Sequence, residues 1–159
     1  MSGFANMPRF LLRIIRLPPR AAYAIGLGPV LGRLVLLLTT YGRKTGKPRV
    51  TPLQYEELNG NIYLGAALGQ KADWLRNIQA NPRVHIQVKN QRFFAHAEVI
   101  TDPAAVVDYL NLRLERHPKM VGAMLRGEGL PANPTNEDLS TYAASLAVVK
   151  VTPLEPHAD

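Results

Sequence analysis

Cysteine is absent from this 159-residue chain. That excludes disulfide stapling, thiolate nucleophiles and cysteine-ligated metals or clusters, and it suits a reducing, cytoplasmic location. Serine occurs only at Ser2, Ser140 and Ser145, none of them in the strand–turn–helix elbow that a serine hydrolase needs. No pair of carboxylates has the setting of glycoside chemistry. Long unbroken apolar runs are missing too. Residues 21–40 come nearest, but Gly26, Gly28, Pro29, Gly32 and Arg33 interrupt them, so the last third reads as a buried strand and not as part of a membrane span. Arginines interrupt every candidate secretory core, and one serine in the first thirty-odd residues is too few for a transit peptide. Gly26-Leu27-Gly28 lacks the strand and the third glycine of a dinucleotide fingerprint, and Pro134 blocks Asn133-Pro134-Thr135 as a glycosylation site.

Acidic residues are also scarce where they would matter most. In residues 1–60 only Glu56 and Glu57 oppose nine Lys/Arg, whereas residues 61–159 hold ten bases and ten acids. The formal net charge of +7 therefore belongs wholly to the N-terminal part, and such a localised field attracts phosphates, polycarboxylates or an anionic membrane surface. Nucleic acid is a poorer match, because the bases are not interleaved with aromatics for stacking.

What is present is the composition of one globular domain, 47% hydrophobic and 19% charged. Residues 8–17 form a candidate helix between Pro8 and Pro18-Pro19, with Arg9, Arg13, Arg16 and Arg20 on one stripe. Ten residues make no stable free helix, so it must dock on its own domain, on a dimer mate or on a peripheral membrane surface. An N-terminal amphipathic arm over 1–33 followed by a barrel domain over 34–159 is the expected division.

Within the domain the pattern predicts strands at 34–40, 49–58, 61–68, 83–89, 92–100 and 145–151. Helices are predicted over 72–80 and from Pro103, capped by Asp102, to about His117. Residues 120–136, rich in Gly, Pro and Met, read as a loop or lid with a short helical piece. Meandering strands with helical insertions indicate an α+β fold, mainly β: a six-stranded antiparallel split β-barrel.

The turn Gly42-Arg43-Lys44-Thr45-Gly46-Lys47-Pro48-Arg49 carries four bases in seven residues between two strands. Its glycines let backbone approach an anion closely. It is not a Walker loop, because the glycine spacing is one residue short and Pro48 stands where a magnesium-binding hydroxyl belongs. A solvated hairpin turn would look the same. Pro52 inside the second strand implies a bulge or an edge, which leaves backbone groups for another partner. Gly65 and Ala67, on the face opposite Ile62, Leu64 and Ala66, leave either a shallow slot for a planar ring or a seat for a tightly packed helix. Trp74 and Asn77 share one side of the short helix. With Asn90-Gln91 as a two-residue turn, His85 and His96 would oppose each other across two strands, two candidate ligands that do not make a metal site; no metal is expected.

Taken together, Leu37-Leu38-Thr39-Thr40, Gly42-Arg43-Lys44-Thr45-Gly46, Pro48-Arg49-Val50-Thr51-Pro52-Leu53 and Trp74…Asn77…Ala80-Asn81-Pro82 resemble the deazaflavin-dependent nitroreductase, or F420H2-dependent quinone reductase, family over residues 34–100 and the final strand. The resemblance implies a flavin-reductase-type split barrel and coenzyme F420, with FMN as the alternative cofactor. It implies that Arg43, Lys44, Thr45, Lys47, Pro48 and Arg49 hold the phosphodiester and acidic tail, while Val50, Thr51, Pro52 and Leu53 run along the deazaflavin. Gly65, Ala66, Ala67 and Leu68 would line the ring, with Lys71 reaching in nearby and Trp74 and Asn77 closing the far side. Relatives carry Ser-Lys where this chain has Ala67-Leu68, and Tyr142 is the one tyrosine before the last strand left to face a substrate. The implied activity is hydride transfer from the coenzyme to an apolar, conjugated small-molecule acceptor, quinone-like or nitro, in a monomer or homodimer. A lipid- or membrane-binding barrel is the non-catalytic alternative.

Overall fold

The structure, a computed structural model, describes residues 35–66 and 69–154. The N-terminal arm with Arg9, Arg13, Arg16 and Arg20, and the positions of Ala67 and Leu68, lie outside them. Strands β1 (Val35–Tyr41), β2 (Pro48–Leu58), β3 (Asn61–Ala66), β4 (Arg83–Val88), β5 (Gln91–Ile100) and β6 (Ala147–Pro153) close into an antiparallel barrel in the order β1-β2-β3-β6-β5-β4. Closure gives every strand a neighbour on both sides along part of its length.

Alternation sets the two faces of the barrel wall. Leu36, Leu38, Ile62, Leu64, Ala66, Val84, Ile86, Ala95, Val149 and Val151 point inward and are buried together, joined by Leu75 and Ile78 of α1 (Asp73–Ala80). A second cluster lies outside the wall, where α2 (Pro103–Arg116), α3 (Pro118–Gly127) and α4 (Asn136–Ala143) cover the outer residues of β3 and β6. Asp102 caps α2 by accepting from the Ala105 N–H, with Pro103 in the first turn, as the sequence predicts.

Three local expectations need correction. Residues 120–136 are more helical than a lid: α3 runs through Gly127, and α4 starts at Asn136 under a reciprocal capping box of Thr135 and Asp138. The β4–β5 turn is Lys89-Asn90, both at positive φ (50° and 66°), and not Asn90-Gln91. His85 therefore faces Phe94 and His96 faces Arg83, so the two histidines are not opposed. Pro52 makes no bulge, because the β1–β2 register runs unbroken from Val35↔Gln54 to Tyr41↔Pro48. Its edge character arises on the other side of the strand.

Leu64 is fully buried at the last ladder position shared by β2 and β3. Leu64→Ala is expected to cost about 2–5 kcal/mol of stability, read as a lower urea midpoint with an unchanged slope.

Candidate functional site

The ladder between β2 and β3 holds only from Leu58↔Asn61 to Tyr55↔Leu64. Beyond it the strands part. Residues 48–54 pair with β1 alone, and Gly65 and Ala66 pair with β6 alone. Two backbone edges thus face a shared gap without ladder partners, and Pro52 sits on one of them. Backbone N–H and C=O groups demand hydrogen bonds, so such a gap suits water or the polar rim of a flat ligand.

The basic turn stands at the same end of the barrel. It is closed by Gly42 N–H donating to Lys47 O (2.9 Å) and Gly46 N–H to Gly42 O (2.7 Å), and Gly46 takes φ +67°, where a side chain would be strained. Thr45 Oγ1 accepts from the Lys47 N–H at 3.3 Å. Asn77, buried in α1, anchors the turn from below. Its Oδ1 accepts from the Arg43 N–H (3.2 Å) and from the Arg43 guanidinium (3.0 Å), while its Nδ2 donates to Thr40 Oγ1 (3.2 Å). Arg43 also pairs with Asp73 at 3.2 Å. Asn77 and Arg43 are thereby engaged in holding the turn on α1. Lys44, Lys47 and Arg49 are exposed and form no ion pair among the described residues, which leaves their charge to attract an anion. Lys71 is exposed at the end of a short 3₁₀ turn, Gly69–Lys71, that follows the β3 exit.

On the outer face, cross-strand rows His85–Thr39–Val50 and Gln87–Leu37–Pro52 lead to the gap. Val50 is 46% exposed, an apolar surface beside the cationic turn. Thr51 and Leu53 point the other way, and Leu53 packs on the barrel core, as does half-buried Trp74. Gly65 is not an open slot on its outer side: a Cβ there would meet the Tyr109 ring and hydroxyl at 3.3 Å. The helix-packing reading of Gly65 is the one realised on that face. Ala66 is buried in the barrel core.

Arg113, Glu56 and Tyr109, close to where the strands part, were not found by the sequence reading; Tyr142 and His85 were. Arg113 of α2 donates to Gln54 Oε1 at 2.8 Å. Glu56, 5% exposed, receives Arg113 (3.5 Å), Arg116 (3.1 Å) and His117 (3.2 Å). Tyr109 is raised to about 12, chiefly by burial, against the opposing pull of Arg113, so its hydroxyl stays protonated through the neutral range. Tyr142, on α4 and packed in the outer cluster, is also raised, by burial and then by Glu128. His85, edge-on to Phe94 at 5.2 Å, is held below the usual imidazole range by burial and by Arg92. The only available signals for this group were the four-residue spacing of Tyr109 and Arg113 on one helix face and the glycine at 65.

An antiparallel barrel parted at one seam beneath a cationic turn is the architecture of a small coenzyme-binding barrel. A family model described as F420H(2)-dependent quinone reductase matches residues 21–120, and the chain belongs to that family. An F420H(2)-dependent quinone reductase of Mycobacterium tuberculosis is 39% identical over 69 residues, 41% of this chain and 46% of the relative. A second M. tuberculosis protein, provisionally named for the same activity, is 43% identical over 60 residues, 36% of this chain and 50% of its own length. The chain thus spans about half the length of the curated relatives it matches. A solved F420-H2 dependent reductase (FDR-A) superposes with a TM-score of 0.52 at 24% identity, covering 75% of this chain and 94% of that one, which shows the shared split-barrel fold. No helix among the described residues is long and apolar enough to cross a membrane.

Two outcomes follow from these contacts. Asn77→Leu keeps the branched skeleton but strips the Thr40 hydroxyl and the Arg43 groups of a partner, and is expected to cost about 1–3 kcal/mol, seen as a lower melting temperature. Because His85 binds a proton less readily when folded, its contribution is complete above the ordinary imidazole pKa and is lost as pH falls below it. Stability measured from pH 8 to 5 should therefore decline less in His85→Gln than in the parent.

Proposed function

We propose that this chain is an F420H2-dependent reductase that binds its coenzyme in the β2/β3 gap and delivers hydride to an apolar, conjugated acceptor of quinone or nitro type. The observation that carries the reading is the coincidence of the gap with the unpaired cations above it. An F420-sized ligand needs both, a place for a flat ring with a polar rim and a place for a phosphodiester with an acidic tail.

Lys44, Lys47 and Arg49 supply the charge for the tail. Arg43 acts through Asn77 and Asp73 to hold the turn in place, and Thr45 and Pro48 shape it. The backbone of Val50, Thr51, Pro52 and Leu53 offers one edge for the ring and that of Gly65 and Ala66 the other, and Ala67, Leu68 and Lys71 follow that edge in sequence. Trp74 and Asn77 support the floor from α1. Tyr142 is the aromatic available to the acceptor from the helical layer. When bound, the reduced deazaflavin supplies the hydride, so the residues of this chain need only bind, orient and exclude water.

Titration of reduced and oxidised F420, followed by Trp74 fluorescence, tests the reading. Charge-assisted contacts contribute about 1.5–3 kcal/mol each, so Lys44→Ala and Lys47→Ala are each expected to weaken binding about tenfold or more, and added salt should weaken the parent further. Failure of both redox forms to bind would overturn the proposal. Co-purification of a yellow flavin would move the same site to FMN.

A further inference from the structure

We infer that Tyr109 and Arg113 of α2 are positioning residues that hold the β2/β3 gap open at a fixed width. If the register continued past Tyr55↔Leu64, the next two pairs would be Gln54 with Gly65 and Leu53 with Ala66. Nothing in the backbone chemistry forbids them. Pro52 removes one donor, but it lies three residues beyond the last pair, and Gln54 and Gly65, whose N–H groups alternation turns toward the gap, keep theirs. The strands nevertheless part directly after Tyr55 and Leu64.

What stands at the parting is α2. Its residues Tyr109 and Arg113 are four apart and so lie on one face of the helix. Arg113 is bonded to Gln54 of β2 at 2.8 Å. Tyr109 is seated on Gly65 of β3, where even a methyl group would come within 3.3 Å of the ring. The first unpaired residue on each strand is therefore held by the same rigid helix, one turn apart. The separation of the two edges is set by the helix and not by the strands.

Arg113, 8% exposed, is in turn fixed by Glu56, which also takes Arg116 and His117 at the C-terminal end of α2. Arg116 adds a second tie by donating to the Glu57 carbonyl at 2.8 Å. The buried Glu56–Arg113 pair at the centre of these ties is a poor source of stability compared with apolar packing, and breaking it would strand a buried charge. That suits a spacer. The consequence for the ligand, that gap width selects a flat three-ring coenzyme, rests on the function proposed above; the spacer role itself does not.

Amide hydrogen exchange on the ligand-free protein tests it. In Arg113→Ala, Glu56 keeps Arg116 and His117, and the released edges are expected to extend their ladder. Exchange at Gln54 and Gly65, the two amides that alternation turns toward the gap, should then slow by about tenfold or more while the rest of the barrel is unchanged or faster. Gln54→Leu, which removes the acceptor and leaves the ion cluster intact, should give the same local slowing, and Arg113→Lys should restore part of the parental rate. A purely structural role predicts faster exchange everywhere in proportion to lost stability. Unchanged or faster exchange at those two amides in both variants overturns the inference. F420 titration of the same proteins separates the two proposals: a parent that fails to bind sinks the proposed function alone, whereas a parent that binds with variants that bind equally well shows that the gap's width does not select the coenzyme.

Discussion

Backbone hydrogen-bonding groups in a barrel wall have to be paired, and between β2 and β3 the wall of this protein leaves a seam where they are not paired to each other. β2 is shared between two partners. Its first half, residues 48–54, has β1 on one side only, and its second half has β3. Everything of functional interest is arranged about that change of partner. The basic turn that precedes it, the small residues of β3 opposite it and the helix that braces it from outside all serve a gap that ordinary ladder pairing would erase.

The electrostatics follow the same division. Bases at the turn fall into two classes by their contacts. Arg43 is tied down by Asn77 and Asp73, and Lys44, Lys47 and Arg49 are left to the solvent. The tied arginine fixes the shape of the turn, and the free cations supply its field. At the far end of the gap the order reverses. There Glu56 and Arg113 are buried, with the more exposed Arg116 and His117 completing the match around the carboxylate. In the proposed function one cationic cluster receives a ligand, and in the inference drawn from α2 the other holds strands apart.

The barrel was readable from alternation. The inward rows Leu36/Leu38, Ile62/Leu64/Ala66 and Val84/Ile86 are periodic, apolar and bounded by turn residues, and those signals are local. The basic turn and Asn77 were readable as a motif, though not the bond that joins them, because nothing in the spacing of residues 43 and 77 indicates contact. Two features depended on register and were lost for that reason. A turn at Lys89-Asn90 in place of Asn90-Gln91 changes every cross-strand partner of β4 and β5, and with it the fate of His85 and His96. The end of the β2–β3 ladder is set by α2, an element some fifty residues further along, so no window of sequence around Pro52 or Gly65 contains the cause. The capping box at Thr135 was present in the sequence but was masked by the Gly- and Pro-rich stretch before it.

The central claim is that the parted edges of β2 and β3 are the binding surface of the coenzyme. Backbone amide chemical-shift mapping with added F420 tests it most directly. The account predicts saturable shifts concentrated at Val50, Thr51, Leu53, Gly65 and Ala66, together with the turn from Arg43 to Lys47. Saturable binding whose shifts fall elsewhere, with those amides unmoved, would contradict it.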